Sequence, residues 1–180
     1  MSSPAGTELA AALRDYDGRD TKFLKALADQ YAASADYVDC LINCYDAEPT
    51  TIADGATWLF LAWLRSDGGG GEGDGEGGLT SPQVDAMLAK LPALSSWGAQ
   101  LHICQSARLF PIDADQALVL AEWLRPLLAA KKPFVRAWSL DAFLHVCTLL
   151  PSHAGEGRMA LEAGLNDPAA SVRARARNLE

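Results

Sequence analysis

The chain has 180 residues, a net charge of −8 and apolar residues at 49% of positions. That length and apolar fraction suffice for a buried core and exclude disorder over most of the chain. The charge is uneven, since residues 1–90 hold 6 basic and 15 acidic side chains whereas residues 91–180 hold 9 and 8. An acidic front half argues against general nucleic-acid binding and suits a basic partner.

Alanine and leucine recur with helical spacing, and caps and prolines mark the helix ends. The first pair is predicted over about 7–16 and 20–33, split by Asp17-Gly18. Helices then follow over 36–47, ending before Glu48-Pro49, and over 51–66. Residues 67–79, rich in glycine and carboxylates, read as a flexible acidic insert, because such a composition buries no core. The insert has no lysine for a phosphate loop, and Gly78 stands where a calcium loop needs a glutamate. Ser81-Pro82 opens a helix to about residue 91, with serine as its cap, and Ser95 or Ser96 opens one to about 110. Asp113 and Gln116 form a capping box for a helix to about 125–128, which Pro126 should end or kink. The last three helices span about 133–150, 157–165 and 169–179.

From residue 36 onward these helices pair as hairpins: 36–47 with 51–66, 82–91 with 96–110, 113–128 with 133–150, and 157–165 with 169–179. Ile52, Gly98, Val135 and Val172 occupy equivalent points early in each second helix, at intervals of 46, 37 and 37. The first interval contains the glycine insert, and removing its 11 residues (68–78) leaves 35. A constant stride of this size is the mark of stacked helical hairpins. In the 133–150 helix, Val135, Trp138, Ala142, Val146 and Leu149 form one apolar stripe, and Leu140, Leu144 and Cys147 a second. Two apolar faces require a helix sandwiched between neighbours. Asp141, His145 and Thr148 make its polar ribbon. In the last helix Val172, Ala176 and Leu179 point inward while Arg173, Arg175 and Arg177 point out.

Asp167, Pro168, Val172 and Arg173, echoed by Pro133, Val135 and Arg136, resemble the HEAT repeat, particularly its short bacterial HEAT-like class, which is also found in phycobilisome lyases. Ala130 departs from the pattern where the family has aspartate. The resemblance covers roughly residues 36–180 and implies a right-handed α-α superhelix (armadillo-like α-solenoid) of about four hairpins; with the extra N-terminal helix pair at 1–35, the expected fold is all-α, in a single domain over 1–180. It also implies a structural role for Asp167 and Arg173, linking adjacent repeats through hydrogen bonds to turn groups. It implies no activity.

Chemistry is sparse. His102-Ile103-Cys104 and His145-Val146-Cys147 offer zinc-ligand types, but residues two apart on a helix point to different sides, so neither pair closes on one metal. Cys40 and Cys44 share a helix face and read as buried packing. No Gly-x-Ser-x-Gly motif occurs, nor the His-Glu dipeptides of HEAT-like di-iron hydroxylases. The tryptophans fall mostly on apolar stripes and read as core, and the charge has the wrong sign for a HEAT-like DNA glycosylase. The four cysteines suit a reducing cytosol. The start of the chain shows no secretion signal, and the longest apolar run, residues 58–64, is far short of the ~20 needed to span a bilayer.

The expectation is a cytoplasmic, non-catalytic, protein-binding scaffold with no cofactor or metal, whose groove is lined by His102, Gln105, Asp141, His145 and Thr148. Two alternatives stand beside it. One is a bilin-lyase-like subunit holding a tetrapyrrole; the other binds nucleic acid through Arg173, Arg175, Arg177 and Lys131-Lys132.

Overall fold

The computed structural model describes residues 4–66 and 78–180, so the predicted insert lies outside the described residues except for Gly78 and Leu79. It is all-helical, with ten α-helices and no strand among the described residues. The sequence reads as one domain, whereas the chain divides into two compact units, Met1–His102 and Ile103–Glu180.

The first unit holds α1 (Pro4–Ala12), continued by a 3-10 turn at Leu13–Asp15, then α2 (Thr21–Tyr31), α3 (Tyr37–Asn43), α4 (Thr50–Leu64), α5 (Ser81–Lys90) and the first turns of α6 (Trp97–Ser106). The Asp17 carboxylate ties its own turn by accepting the N–H groups of Arg19 and Asp20, both at 2.8 Å. Asp20 then caps α2. Helix α3 packs on α1, α4 and α5, and α2 packs on α4, and the unit buries Leu13, Leu24, Leu41, Leu59, Phe60 and Leu64 almost completely. Each such side chain contributes about 1.5–3 kcal/mol on burial. The cap of α5 is Thr80 rather than Ser81, because Thr80 stands three residues before Gln83, the spacing at which the two exchange bonds reciprocally.

Gly98 is the weak match in the predicted repeat, and the structure supplies a reason for it. Asp54 of α4 reaches the start of α6, accepting the Ala99 N–H at 2.9 Å and the Ser96 hydroxyl. A Cβ on residue 98 would lie 2.9 Å from Asp54 Oδ1. The carboxylate occupies the space a valine would need.

The second unit holds the last turn of α6, a 3-10 turn at Ala107–Leu109, α7 (Ala114–Leu127), α8 (Pro133–Leu149), α9 (Ala154–Leu165) and α10 (Ala170–Arg177). Asp113 and Gln116 form the capping box the sequence predicts. Pro126 sits at the penultimate residue of α7 and neither ends the helix before it nor starts a new element. Helix α8 packs against α7, α9 and α10, so it is sandwiched as its two stripes require. Phe143, on neither stripe, is fully buried, while Leu149 at the helix end is exposed. The tryptophans also depart from a core reading: Trp97 is 52% exposed and the other four are only half-buried.

The turns of this unit repeat at the level of single bonds. Arg136 Nη1 donates to the carbonyls of Ala130 (2.8 Å) and Lys131 (3.4 Å), and Arg173 Nη1 donates to those of Asp167 (2.6 Å) and Pro168 (2.8 Å). In both, the acceptors stand six and five residues before the arginine. Asp167 accepts the Ala169 N–H at 2.7 Å within its own turn. It also takes Arg136 of the preceding hairpin in a two-pronged pair, both bonds 2.8 Å. Val135 and Val172, one residue before each arginine, are buried. Ala130 has no carboxylate, but its backbone carbonyl takes Arg136 just as that of Asp167 takes Arg173.

Candidate functional site

The polar ribbon of α8 is not a solvated strip. Asp141 is buried, with only 7% of its side chain exposed, against the expectation that it lines an open groove. Two guanidinium groups converge on it, the pairing that a buried carboxylate requires. Arg108, from the 3-10 turn after α6, gives Nε to Oδ1 at 2.5 Å; Arg175 of α10 gives Nη1 to Oδ2 at 3.1 Å. Three elements of the second unit therefore fix this cluster.

Arg175 also lies over the Trp138 indole, its guanidinium carbon 3.7 Å from the ring centroid. Trp138 precedes Asp141 by three residues on α8, so both share one helix face. His145, one turn further on, is half-buried. Burial and the nearby Arg108 hold its imidazole below the usual histidine range, opposed by Asp141, so it is neutral at pH 7. Thr148 is exposed and donates to the carbonyl of His145 at 2.6 Å. Gln105 is half-buried on α6 in the same unit.

His102 belongs to the first unit. Its Nδ1 lies 3.0 Å from the Thr57 hydroxyl, which donates its one hydrogen to the Ala53 carbonyl at 2.8 Å. Burial pushes this imidazole down to about 4, against the pull of Asp54.

Of the predicted groove residues, then, Asp141 and His145 are brought together, with Thr148 one turn along. Arg108 was missed because nothing local marks an arginine after a helix as a partner of α8. Of the three arginines predicted to point outward from α10, Arg173 is tied to turn carbonyls and Arg175 to Asp141; Arg177 is exposed.

All four cysteines are free and buried, and burial raises the Cys104 thiol to about 12. Among the described residues no group of three or more His, Cys, Asp or Glu is arranged to hold a metal ion, and no helix is long and apolar enough to cross a membrane. Comparison with family models, curated proteins and solved structures gives no match.

Proposed function

We propose that this protein is a non-catalytic protein-binding module built from HEAT-like helical hairpins. The observation that carries this reading is the Arg108–Asp141–Arg175 cluster on α8. Its carboxylate is engaged by two arginines, so the face offers rigid hydrogen-bond donors rather than a free base or nucleophile. The matched turn bonds of Arg136 and Arg173 support the repeat family, and stacked hairpins present binding surfaces without a reactive centre. The excess of carboxylates in residues 1–90 suits a basic surface on the partner. Nucleic acid fits poorly, since Arg173 and Arg175 are already bonded within the fold. Buried free thiols favour a cytoplasmic setting.

Affinity capture from extracts of the source organism tests the reading, comparing the wild-type chain with Arg108→Glu. Circular dichroism must first show equal helicity. The expected result is a defined set of proteins retained by the wild type and lost by the variant. Identical sets, or none with either protein, would overturn it.

A further inference from the structure

We infer that the Arg108–Arg175 pair is a preorganised receptor for a carboxylate side chain, so that the α8 face takes an acidic segment of a protein partner. This rests on the protein-binding reading above and adds the chemistry of the ligand.

One carboxylate cannot saturate two guanidinium groups. Each guanidinium carries five N–H donors, and Asp141 occupies one nitrogen of each. Among the described residues no other acceptor takes the remaining N–H groups of Arg108 or Arg175. Those groups are also accessible, because the Arg108 side chain is 51% and that of Arg175 30% exposed, while Asp141 between them is almost covered. The buried carboxylate thus works from below, holding two donors at a set spacing with their outer edges toward solvent.

Rigidity distinguishes this pair from ordinary surface arginines. A free arginine loses rotamer entropy whenever it binds, and that loss cancels most of the gain from an exposed ion pair. Here Arg108 is anchored by a 2.5 Å bond, and Arg175 by both Asp141 and the Trp138 ring. The ordering cost is met on folding, so a ligand gains more from each new bond.

Charge selects the ligand. Two arginines and one aspartate sum to a single positive charge with His145 neutral, which matches one carboxylate. With Nε engaged, Arg108 keeps both terminal nitrogens, a fork whose geometry fits the two oxygens of a carboxylate. Trp138 lies against Arg175, and the neutral His145 lies near Arg108, so the pair has an apolar or weakly polar wall for the stem of a glutamate. The surrounding unit, residues 103–180, has a net charge of +1 against −9 for residues 1–102, so the local field does not oppose an acidic segment.

The test uses the full chain and blocked hexapeptides of glutamate, glutamine and phosphoserine, with binding followed by calorimetry and by the side-chain NMR signals of Trp138 and His145. The glutamate peptide should bind, move both signals, and weaken steeply with added salt. Arg108→Gln and Arg175→Gln should each weaken it about fivefold or more. Arg158→Gln, an exposed site on α9, should leave it unchanged. Arg175→Lys keeps the charge and should still lose affinity, because the planar fork and the stacking go. Equal binding of the glutamine peptide, or full binding by Arg108→Gln, would overturn the inference. Phosphoserine binding tenfold tighter than glutamate would replace a carboxylate with a phosphate as occupant. If glutamate fails while Arg108→Glu still abolishes protein capture, the binding-module reading survives and this inference alone falls.

Discussion

Arg136 and Asp167 meet in a two-pronged ion pair that joins the start of α8 to the turn before α10, with both N···O distances at 2.8 Å. The same arginine holds the carbonyls of its own turn, and the same aspartate holds the N–H of Ala169. One pair of side chains therefore fixes two turns and the spacing between two hairpins.

Removing either partner should be costly. Both side chains are mostly buried, and charge-assisted bonds of this kind contribute about 1.5–3 kcal/mol. Arg136→Ala is expected to cost about 2–3 kcal/mol, and Arg136→Lys about half as much, because lysine keeps the charge but not the fork. Urea unfolding measures both, and a double-mutant cycle with Asp167→Ala should show coupling above about 1 kcal/mol. The pH dependence has a defined sign. The hydrogen bond from Arg136 holds the Asp167 carboxyl below its usual range, so its contribution is full above the ordinary carboxylate pKa and disappears as pH falls through the lower folded value. The advantage of wild type over Asp167→Asn should shrink below about pH 4.

Gly98 and Asp54 should behave as a coupled pair. Gly98→Ala places a methyl 2.9 Å from Asp54 Oδ1 and must displace the carboxylate from the Ala99 N–H. The expected loss is about 1–2 kcal/mol, the usual cost of losing a helix cap. On an Asp54→Ala background the same substitution meets no carboxylate and should be neutral or slightly stabilising, since alanine favours helix. An equal cost on both backgrounds in thermal unfolding would contradict this account.

The helices were legible because their ends are marked chemically. Pro49, Pro133 and the Asp113–Gln116 box stand where helices begin, and apolar spacing located the buried faces of α8. The site was half-legible. Asp141 recurs with His145 and Thr148 on a polar ribbon, and a ribbon of that kind ordinarily faces water. Its burial depends on Arg108 and Arg175, 33 and 34 residues away, and periodicity within one helix carries no record of such partners. Both separations are close to the stride of the hairpins, a hint only in retrospect. The glycine at 98 has a related reason: what fills the space of a larger side chain is Asp54 of α4, 44 positions back.

His102 predicts a second pH effect, in the first unit. A histidine at about 4 when folded and about 6.5 when unfolded takes up its proton only on unfolding across that window. Its contribution to stability is full above pH 6.5 and is lost as pH falls toward 4, on the order of 3 kcal/mol. NMR titration of the imidazole should give a midpoint near 4, and His102→Gln should flatten the fall in stability between pH 6.5 and 4. A midpoint near 6.5 would mean that the ring is solvated and that its bond to Thr57 is not maintained.

Gly164 of α9 tests how tightly the hairpin of α9 and α10 closes on α8. A Cβ there would lie 2.5 Å from Leu140 Cδ2 and 3.3 Å from the Ala176 Cβ, so three helices approach at a point that holds no methyl group. Gly164→Ala gains helix propensity worth about 1 kcal/mol but must push α9 away or twist Leu140 off its rotamer, at about 1–3 kcal/mol. A net loss of about 0–2 kcal/mol is expected on balance. Leu140→Ala alone should cost about 2–5 kcal/mol by leaving a cavity. Combined, the new methyl partly fills that cavity, so the double variant should be more stable than the sum of the two losses. Simple additivity in urea unfolding would show that α9 shifts freely, and that the glycine is not what sets its approach to α8.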